Sequence, residues 1–434
     1  MVRPPELLTR LPRPARALGA AGRRLTGRLR STRLTARLET WLGAAGRRFT
    51  SPLRSTPLTA RLETRLGAAA RRFTSPLRST RLTARLGMWL GIAFAVCFVT
   101  GVLSHLIQHP PGWFHWPSRP VQLYRVTQGL HVASGLAAVP LLTAKIWSVF
   151  PKLFAWPPVH GLGHALERAA VGLLSAAAVF ELVTGVLNIA YWYSAMPFGF
   201  LGAHYWTAYL LAGAVLLHLA AKLPVLRAGR PPDPHGDRGR RRVLLMAGAA
   251  AATVTVATVG QTLSPLRRFS LLAPRLPGVG PQGLPVNKTA AAARVARAGD
   301  SYRLVVSGPA GRHALGLADL LAMPQATVEL PIACVEGWSA TGTWSGVRLA
   351  DLLRLVGAED ADRPVRVESL QPDGPYRESV VEPGPARDPL TLLALRLGGE
   401  PLHLDHGFPC RLIAPNRPGV LQTKWVAAIT VLPR

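Results

Sequence analysis

Five apolar stretches, each long enough to cross a bilayer, constrain the fold of this 434-residue chain more than any other feature. A helix needs about 20 predominantly apolar residues to span the hydrocarbon layer, where each segment must satisfy its own backbone polar groups. The sequence therefore predicts an all-α transmembrane bundle followed by a domain outside it. The predicted spans are residues 87–108, 123–149, 167–190, 203–225 and 243–263.

Positive charge in the connecting segments predicts which side of the membrane each one faces. Six arginines lie in residues 227–242, and Lys145 and Lys152 flank the end of the second span. The loops at 109–122 and 191–202 carry a single arginine and are rich in aromatic residues. Basic loops stay in the cytoplasm, and Trp and Tyr favour the interface. We therefore expect a multi-pass protein of the cell membrane, with a cytoplasmic N-terminus and an extracytoplasmic C-terminal domain.

Residues 1–86 form a basic arm with 20 Arg, no Lys and 3 Glu. A unit of 24 residues starts at Leu29, returns at Leu53, and returns in its first half at Leu77. The leucines of a unit fall near one helical face, which is typical of a basic amphipathic surface helix. The alternatives are a disordered arm and an internal duplication without a dedicated role. Because the charge adjoins membrane spans and no nucleic-acid motif accompanies it, we expect a lipid bilayer as its partner and no nucleic acid.

Residues 227–264, the basic loop and the fifth span, resemble a twin-arginine export signal retained as an anchor. Arg240, Arg241 and Arg242 lead into a mildly apolar run rich in Ala, Thr and Gly. The alternative is that these arginines only orient the span. Twin-arginine export moves folded domains, so the resemblance implies an outer domain that takes up a cofactor in the cytoplasm.

Residues 87–226, which contain the first four spans, hold eight histidines, and five of them are candidate ligands because ionisable side chains within or beside spans mark functional sites. His204 and His218 are fourteen residues apart, which is about 21 Å of helical rise and nearly a whole number of turns. Both imidazoles therefore face one way, one near each membrane face. This spacing suits two haems with axial imidazoles from facing helices. Glu181, in mid-span, is either a proton-relay group or a hydrogen-bonded structural acid. The other three candidates are His105, His131 and His164.

The histidine pair and the helix count resemble the di-haem cytochrome b subunits of respiratory formate dehydrogenases and nickel hydrogenases. This resemblance implies haem b, two groups per chain, and a quinone pool as electron partner. That family places a ligand near the inner end of the first span, whereas His105 lies near the outer end. By depth, His204 pairs with His105 or His131. By the same criterion, His218 pairs with His164 or His131. The predicted iron ligands are His131, His204 and His218.

Residues 265–434 are nearly balanced in charge and alternate β-rich runs with turns, an α+β pattern. The repeated L-A-D-L-L at 317–321 and 349–353 predicts two helix starts. The strand-like runs are residues 302–308, 364–370 and 425–431.

This outer domain contains two cysteines, Cys334 and Cys410. Cys334 lies in the stretch L-P-I-A-C-V-E-G-W-S, residues 330–339, at the end of an apolar run. The thiol is core filler, half of a disulfide or a metal ligand. An extracytoplasmic domain can form a Cys334–Cys410 bridge.

The segment C-V-E-G-W at Cys334, followed by W-S-G-V-R-L at Trp344, resembles the molybdenum-cysteine segment of the sulfite oxidase fold. The likeness is closest to the catalytic subunit of periplasmic methionine sulfoxide reductases and covers residues 284–432. It recurs in order as V-N-K-T at 286–289, V-E-S-L at 367–370 and H-G-F-P-C-R-L-I-A-P at 406–415. It implies that Cys334 is the catalytic residue and the protein ligand of molybdenum. The implied contacts to a molybdopterin are Asn287, Ser369, His406, Arg411 and Lys424.

These residue types suit that cofactor. A soft thiolate is a fit ligand for molybdenum, and the fork of Arg411 with the cation of Lys424 suits a phosphate. Cys410 then stays unpaired, in the core or lining the pocket. Sulfite oxidases follow the cysteine with a positively charged run where this chain has Gly337, Trp338 and Ser339. We therefore expect a neutral S- or N-oxide in preference to sulfite or nitrate.

Four further side chains are predicted to border the substrate site, with core packing as the alternative for the two tryptophans. They are Glu336, Trp338, Trp344 and His403.

Together these features predict a membrane-bound molybdopterin-dependent oxidoreductase. Electrons would move between a quinone pool, haem b in the spans and an outer molybdenum centre that acts on a small S- or N-oxide by oxygen-atom transfer. The direction of flow stays open. The alternative is a haem-containing membrane cytochrome whose outer domain, 265–434, binds partners without a cofactor.

Overall fold

The computed structural model describes residues 78–153, 161–227, 237–297, 299, 301–358 and 362–433. The chain divides into two compact units. The first comprises Met1–Ser75 and Phe150–Gly172, and the second comprises Pro76–Val149 and Leu173–Arg434. The repeats of the basic arm lie almost entirely outside the described residues, so the surface-helix interpretation stays a prediction.

Five long helices coincide with the five predicted spans. In each, an 18-residue window has a mean hydropathy between 1.4 and 2.2, which makes all five long and apolar enough to cross a membrane. The helices are α1 (Thr80–Gln108), α2 (Leu123–Leu153), α3 (Leu162–Ile189), α4 (Phe200–Arg227) and α5 (Asp237–Val259).

Helix α1 begins seven residues before the predicted first span because Ser79 caps it. The Ser79 hydroxyl accepts a hydrogen bond from the backbone N–H of Leu82 at 3.2 Å, and Ser79 itself has extended backbone angles. Such a cap satisfies a helix N–H that has no partner inside the helix. The end of the arginine-rich arm is therefore continuous with the first long helix.

Helices α1, α2 and α5 pack through aliphatic and small side chains. Leu82 and Leu86 of α1 are almost completely buried, as is Ala138 of α2, and Ala247 of α5 joins the same cluster. Gly248 of α5 lets Trp89 approach, since a Cβ there would lie 3.4 Å from the indole ring. Close approach at small residues is the usual way in which membrane helices pack.

The outer domain is α+β, as predicted, and contains two five-stranded sheets. The first sheet has the order β2-β1-β10-β5-β6, in which only β1 and β10 are parallel. The second has the order β3-β4-β7-β8, with β9 also paired to β7, and all its pairs are antiparallel. The strands are β1 (Leu304–Gly308), β2 (Gly311–Leu315), β3 (Gln325–Ala333), β4 (Ser339–Arg348), β5 (Val365–Ser369), β6 (Glu378–Val381), β7 (Leu392–Leu397), β8 (Glu400–Pro401), β9 (Arg411–Ile413) and β10 (Val426–Val431).

Three short helices complete the domain, and two of them begin at the repeated L-A-D-L-L, as predicted. They are α6 (Leu317–Ala322), α7 (Leu349–Arg354) and α8 (Pro383–Arg387). The larger core cluster contains Leu352, Val367 and Cys410, whereas a second cluster contains Cys334 and Trp344. The two thiols thus belong to different cores.

Asn416 and Asp388 attach the outer domain to the loop between α1 and α2 and to the start of α2. Asp388 accepts hydrogen bonds from Ser118 and Arg119 at 2.6 and 3.3 Å. The carboxamide oxygen of Asn416 accepts a hydrogen bond from the Tyr124 N–H, and its nitrogen donates to the Pro117 carbonyl, each at 2.6 Å. The Trp116 indole donates to the Asn416 carbonyl at 2.9 Å. These directional bonds fix the orientation of the second sheet relative to helices α1 and α2.

Candidate functional site

Cys334 lies in the tight loop that joins β3 to β4. The last ladder pair of that hairpin is Ala333 with Ser339, so residues 334–338 form the connection. The Cys334 N–H donates to the Trp338 carbonyl at 2.9 Å, and the Gly337 N–H donates to the Cys334 carbonyl at 3.0 Å. Gly337 has φ +87°, a conformation that glycine adopts without a steric penalty. The loop therefore holds the thiol in a fixed position at the end of a rigid hairpin.

Asn287 is the predicted pterin contact that touches this thiol. Its side-chain nitrogen donates to the Cys334 sulfur at 3.2 Å and to the Glu336 carboxylate at 2.7 Å. Its oxygen accepts from Arg275 at 3.2 Å. Because each carboxamide atom has a partner of the right kind, the network fixes which way the Asn287 amide points.

The connection between α3 and α4 contributes Tyr193 to the same network. The Tyr193 hydroxyl contacts the Glu336 carboxylate at 3.2 Å and Asn188 at 3.1 Å. Burial, and next the Glu336 carboxyl, raise the pKa of Tyr193, so the phenol stays protonated and can donate. A side chain from the helical region therefore completes the surroundings of Cys334.

A cavity of about 320 Å³ opens beside the thiol, and it gathers most of the predicted site residues. It brings together Cys334, Asn287, His406, Arg411 and Lys424, which are up to 137 positions apart in sequence. Glu336 and Trp338 also line it, as predicted for the substrate border. Trp344 does not line the cavity: it is fully buried and its indole donates to the Leu330 carbonyl, so core packing is the correct interpretation.

Two cations lie in the wall of this cavity. Arg411 is buried and donates to the carbonyls of His406 and Gln422. The Lys424 ammonium donates to the carbonyls of Lys288 and Asp405 at 2.6 and 2.8 Å. Burial lowers the pKa of Arg411 to about 9, and burial together with nearby Arg411 lowers the pKa of Lys424 to about 7. Buried cations held mainly by carbonyl groups favour an anionic ligand.

The neighbouring His406 and Cys334 are held in their neutral forms when no ligand is bound. Burial lowers the pKa of His406 to about 4, although its Nε2 donates to the Pro281 carbonyl at 2.7 Å. Burial, and next the Glu336 carboxyl, raise the pKa of the Cys334 thiol well above its ordinary value. A bound metal cation reverses that effect, because it favours the thiolate.

Unpaired donors in the cavity wall test whether the residues fit a molybdopterin. Trp338 Nε1, Gln371 Nε2 and Arg411 Nε are buried and have no hydrogen-bond partner within the part of the chain that the structure describes. All three residues line the cavity. Buried donors without acceptors are costly, so this arrangement is that of a site for an acceptor-rich, anionic group. Together with a soft sulfur donor, it fits a pterin phosphate and its metal.

Two predicted residues lie behind the cavity wall. The Ser369 hydroxyl accepts from the Gln371 N–H and donates to the Lys424 carbonyl at 2.8 Å, so it positions both segments without lining the cavity. Cys410 contacts the Tyr302 hydroxyl at 3.0 Å in the larger core. Cys334 and Cys410 are both free thiols, so the disulfide interpretation is not supported.

Sequence reasoning missed the cavity residues contributed by segments outside the family motifs. Gln371 and Tyr376 come from the loop after β5, Tyr191 and Tyr193 come from the aromatic loop between α3 and α4, and Phe200 is the first residue of α4. The only available signal was the high aromatic content of that loop, which predicts an interfacial belt equally well. His403 is not among the cavity-lining residues.

Two of the predicted haem ligands have their Nδ1 atoms fixed. His131 Nδ1 is 2.8 Å from the Cys97 carbonyl, which can only accept a hydrogen bond, so this nitrogen carries the proton. A Cβ at Gly101 would lie 2.8 Å from the His131 ring, so glycine is needed there for helix α1 to approach.

His204 Nδ1 is 2.8 Å from the Thr184 hydroxyl and 3.1 Å from the Glu181 carboxylate. The Thr184 hydroxyl already donates to the Phe180 carbonyl at 2.7 Å, so it accepts from His204. Both His131 and His204 therefore carry the Nδ1–H tautomer, which leaves each Nε2 lone pair available to a metal. Metal-ligating histidines commonly donate their other ring N–H to a carbonyl or carboxylate oxygen in this way.

The other three predicted haem ligands are less clearly defined by the structure. His105 stacks on Tyr205 with ring centroids 3.7 Å apart, rather than joining His131 or His204. His164 lies in the first compact unit and His218 in the second, so the pairing of His218 stays a prediction. No cluster of three or more His, Cys, Asp or Glu side chains suited to a metal occurs among the described residues. A haem needs only two axial imidazoles.

The Cys334 loop packs directly against helix α2. A Cβ on Gly337 would lie 2.8 Å from both γ-carbons of Val132, the residue that follows His131. One turn earlier on the same helix, Gln128 donates to the Val335 carbonyl at 2.7 Å. The thiol loop and the His131 segment are therefore in van der Waals and hydrogen-bond contact.

Comparison with known proteins agrees with this site. Residues 291–434 match the family model described as an oxidoreductase molybdopterin binding domain. YedZ1 of Azospira oryzae, named as a protein-methionine-sulfoxide reductase subunit, is 38% identical over 132 residues, which are 30% of this chain and 49% of that protein. Human mitochondrial sulfite oxidase is 30% identical over 161 residues, with 31% of this chain and 30% of that protein covered.

Among solved structures, the sulfane dehydrogenase SoxCD from Paracoccus pantotrophus aligns with a TM-score of 0.30 and 22% identity, covering 32% of this chain and 40% of that chain. The chain spans about half or less of the length of these relatives. Residues 291–434 are a molybdopterin-binding oxidoreductase domain of the sulfite oxidase type. Asn287 lies just before the matched range.

Proposed function

We propose that this chain is a membrane-bound oxidoreductase that carries both ends of an electron-transfer route. Electrons pass between a quinone pool, haem b held by the helical region and an extracytoplasmic molybdenum centre at Cys334. The substrate is a small S- or N-oxide. The apolar helices α1 to α5 and the positive-inside distribution of arginines support this placement in the cell membrane.

The observation that carries the proposal is the contact between the Cys334 loop and helix α2. Gly337 packs on Val132, Val132 follows His131, and Gln128 binds the Val335 carbonyl. A haem on His131 and a metal on Cys334 would therefore share one packed junction within a single chain. Such a junction has no use in a binding module, whereas electron transfer between two centres requires them to be close and fixed.

The residues around the cavity would each bind a different part of the molybdopterin. Cys334 supplies the sulfur ligand, and Asn287 orients that sulfur by donating to it at 3.2 Å. Arg411 and Lys424 provide positive charge for the phosphate. When bound, the molybdenum centre supplies two-electron oxygen-atom transfer.

The hydrogen bonds of His131 and His204 support a haem in the helical region. Each imidazole has its Nδ1–H engaged, at Cys97 and at Thr184 with Glu181, and each presents Nε2 as the ligand atom. We assign these two histidines as an axial pair. His218 is left as a candidate ligand of a second haem.

The substrate side of the cavity favours a neutral oxide. The Glu336 carboxylate lies beside the thiol, where an anion such as sulfite or nitrate would meet like charge. Tyr191, Tyr193 and Trp338 provide an apolar wall with hydroxyl and indole donors that can bind an oxide oxygen. One relative is named a sulfite oxidase and another a methionine-sulfoxide reductase subunit, and a small sulfur oxide is consistent with both names.

Metal analysis and an optical spectrum of the detergent-purified chain test the proposal. We expect about one molybdenum per chain and reduced b-type haem bands in the wild type. Cys334→Ser should lose or electronically alter the molybdenum and keep the haem. Cys410→Ser is the matched control, since it removes a buried thiol outside the cavity and should keep both groups.

The second candidate function, a cytochrome with a cofactor-free outer domain, predicts a different result. It requires haem without molybdenum and a Cys334–Cys410 disulfide in peptide mapping. The free thiols in separate cores and the unpaired donors of the cavity wall favour the oxidoreductase.

A further inference from the structure

The segment Leu263–Leu272, which follows helix α5, folds back along that helix. The Ser270 hydroxyl donates to the Val256 carbonyl at 3.0 Å, and the Leu272 N–H donates to the Ala257 carbonyl at 2.8 Å. Gly260 permits this return, because a Cβ there would lie 2.8 Å from the Ser270 hydroxyl. We call this segment the α5 hook.

The hook places apolar side chains beside the last turns of the fifth span. Leu272 is bonded to Ala257, five residues before the end of the span at Thr262, which is about 8 Å along a helix. Leu271 and Leu272 are nevertheless 85% and 66% exposed, and Phe269 is 50% exposed. Side chains this apolar, at this depth, contact acyl chains rather than water once α5 crosses a bilayer.

The same hook also carries positive charge. Arg267 and Arg268 are exposed and, together with Ser264 and Pro265, line an open cavity of about 590 Å³. Neither arginine forms an ion pair within the described part of the chain. The sequence contains no Asp or Glu between residues 238 and 299. The charge of the hook is therefore uncompensated by the protein.

We propose that the α5 hook is a binding site for an anionic phospholipid of the leaflet that it enters. The guanidinium groups of Arg267 and Arg268 bind the headgroup phosphate, while Leu271 and Leu272 insert between acyl chains. This inference rests on the membrane placement of α5 in the proposed function, but it does not depend on haem, on molybdenum or on which side of the membrane α5 ends. The occupant is a lipid and not a soluble phosphate, because the leucines extend the basic surface into the hydrocarbon layer.

Hydrogen–deuterium exchange of the full chain in nanodiscs tests this site. One set of nanodiscs contains only phosphatidylcholine and a second contains an equal part of phosphatidylglycerol. We expect slower exchange of residues 263–272 with phosphatidylglycerol, and the Arg267→Gln/Arg268→Gln variant should lose that difference. Each arginine should contribute about a fivefold change in lipid affinity at low salt. Arg312→Gln/Arg348→Gln, which removes the same charge from the outer domain, should behave as the wild type.

Equal exchange in both lipids, or an unchanged response in the Arg267→Gln/Arg268→Gln variant, would overturn the lipid site. Leu271→Ser/Leu272→Ser provides a second readout, because it should raise exchange in both lipids while keeping the preference for the anionic one. Protection that inorganic phosphate restores in phosphatidylcholine nanodiscs would also overturn the proposal, since it would identify a simple anion site. Release of the wild-type chain from membranes by alkaline carbonate would instead refute the membrane placement itself.

Discussion

The chemistry of His204 is set by two side chains one turn apart on a neighbouring helix. Thr184 and Glu181 both lie within 3.1 Å of its Nδ1, and the hydroxyl proton of Thr184 is already used on the Phe180 carbonyl. This arrangement favours a hydrogen-bonded structural acid over a proton-relay group for the carboxyl in mid-span. We propose that Glu181, which is bonded to a candidate iron ligand, orients that imidazole and raises its basicity.

Replacing Glu181 by Gln should therefore raise the midpoint potential of the haem that His204 ligates. Loss of the carboxylate makes the imidazole a weaker donor and destabilises ferric iron relative to ferrous iron. A shift on the order of 65–130 mV corresponds to the loss of one hydrogen bond to a charged group, which contributes about 1.5–3 kcal/mol. A redox titration of the purified protein measures it, with Thr184→Val as the comparison that keeps the carboxylate. An unchanged potential in Glu181→Gln would show that Glu181 does not tune the iron.

At the scale of elements, the β3–β4 hairpin is one of the parts that connect the outer domain to the helical region. Its loop presents Cys334 to the cavity on one side and Gly337 to helix α2 on the other. Gly337 meets two requirements at once, since its φ is +87° and a Cβ would collide with Val132. The loop can therefore dock on the helix only with glycine at this position.

Gly337→Ala should uncouple the outer domain from the helical region while leaving the cavity formed. The positive φ costs on the order of 1–3 kcal/mol, and the collision pushes the loop away from α2. We expect a marked loss of substrate reduction driven by quinol, and much less loss when a reduced viologen dye donates directly to the outer domain. Gly398→Ala is the control, because Gly398 also has a positive φ but no atom within 4 Å of its Cβ position. Val132→Ala in the Gly337→Ala background should restore part of the quinol-driven rate. Equal loss with both donors would argue against a coupling role.

For the whole molecule, the attachment of the outer domain decides where its cavity opens. Asn416 binds the α1–α2 loop, and Tyr193 from the α3–α4 loop reaches Glu336. The cavity wall thus includes residues of the helical region. If the helices cross the membrane, the cavity lies next to its surface, on the side of these two loops.

The side of the membrane on which that cavity lies follows from the arginines of residues 227–242. They should hold the segment between the fourth and fifth spans in the cytoplasm, which puts the C-terminal domain outside. Alkaline phosphatase fused at the C-terminus should be active, and the same enzyme fused after Pro232 should be inactive. Substituting the six arginines by Gln should weaken this difference. The reverse pattern of activity would place the molybdopterin domain in the cytoplasm and contradict the topology.

The elements of this fold were largely predictable because their signals are local. Hydropathy over about 20 residues identified the five long helices, and the repeated L-A-D-L-L identified α6 and α7. The boundaries were less accurate: α1 starts at Thr80 because of a single capping serine. The motif around Cys334 indicated the kind of site only through its resemblance to the molybdenum-cysteine segment of the sulfite oxidase fold.

What the sequence alone determined is therefore the inventory: five apolar helices, an α+β domain and the chemical identity of the candidate ligands. Tertiary structure decided which of these residues meet. In the folded chain Tyr193 and Gln371 line the cavity, whereas Ser369 lies behind its wall. Val132 packs against Gly337. Such contacts join positions far apart in the chain, and they depend on how whole helices and sheets pack. No short pattern encodes them, because local propensity and hydropathy report burial and secondary structure but not the partner across an interface.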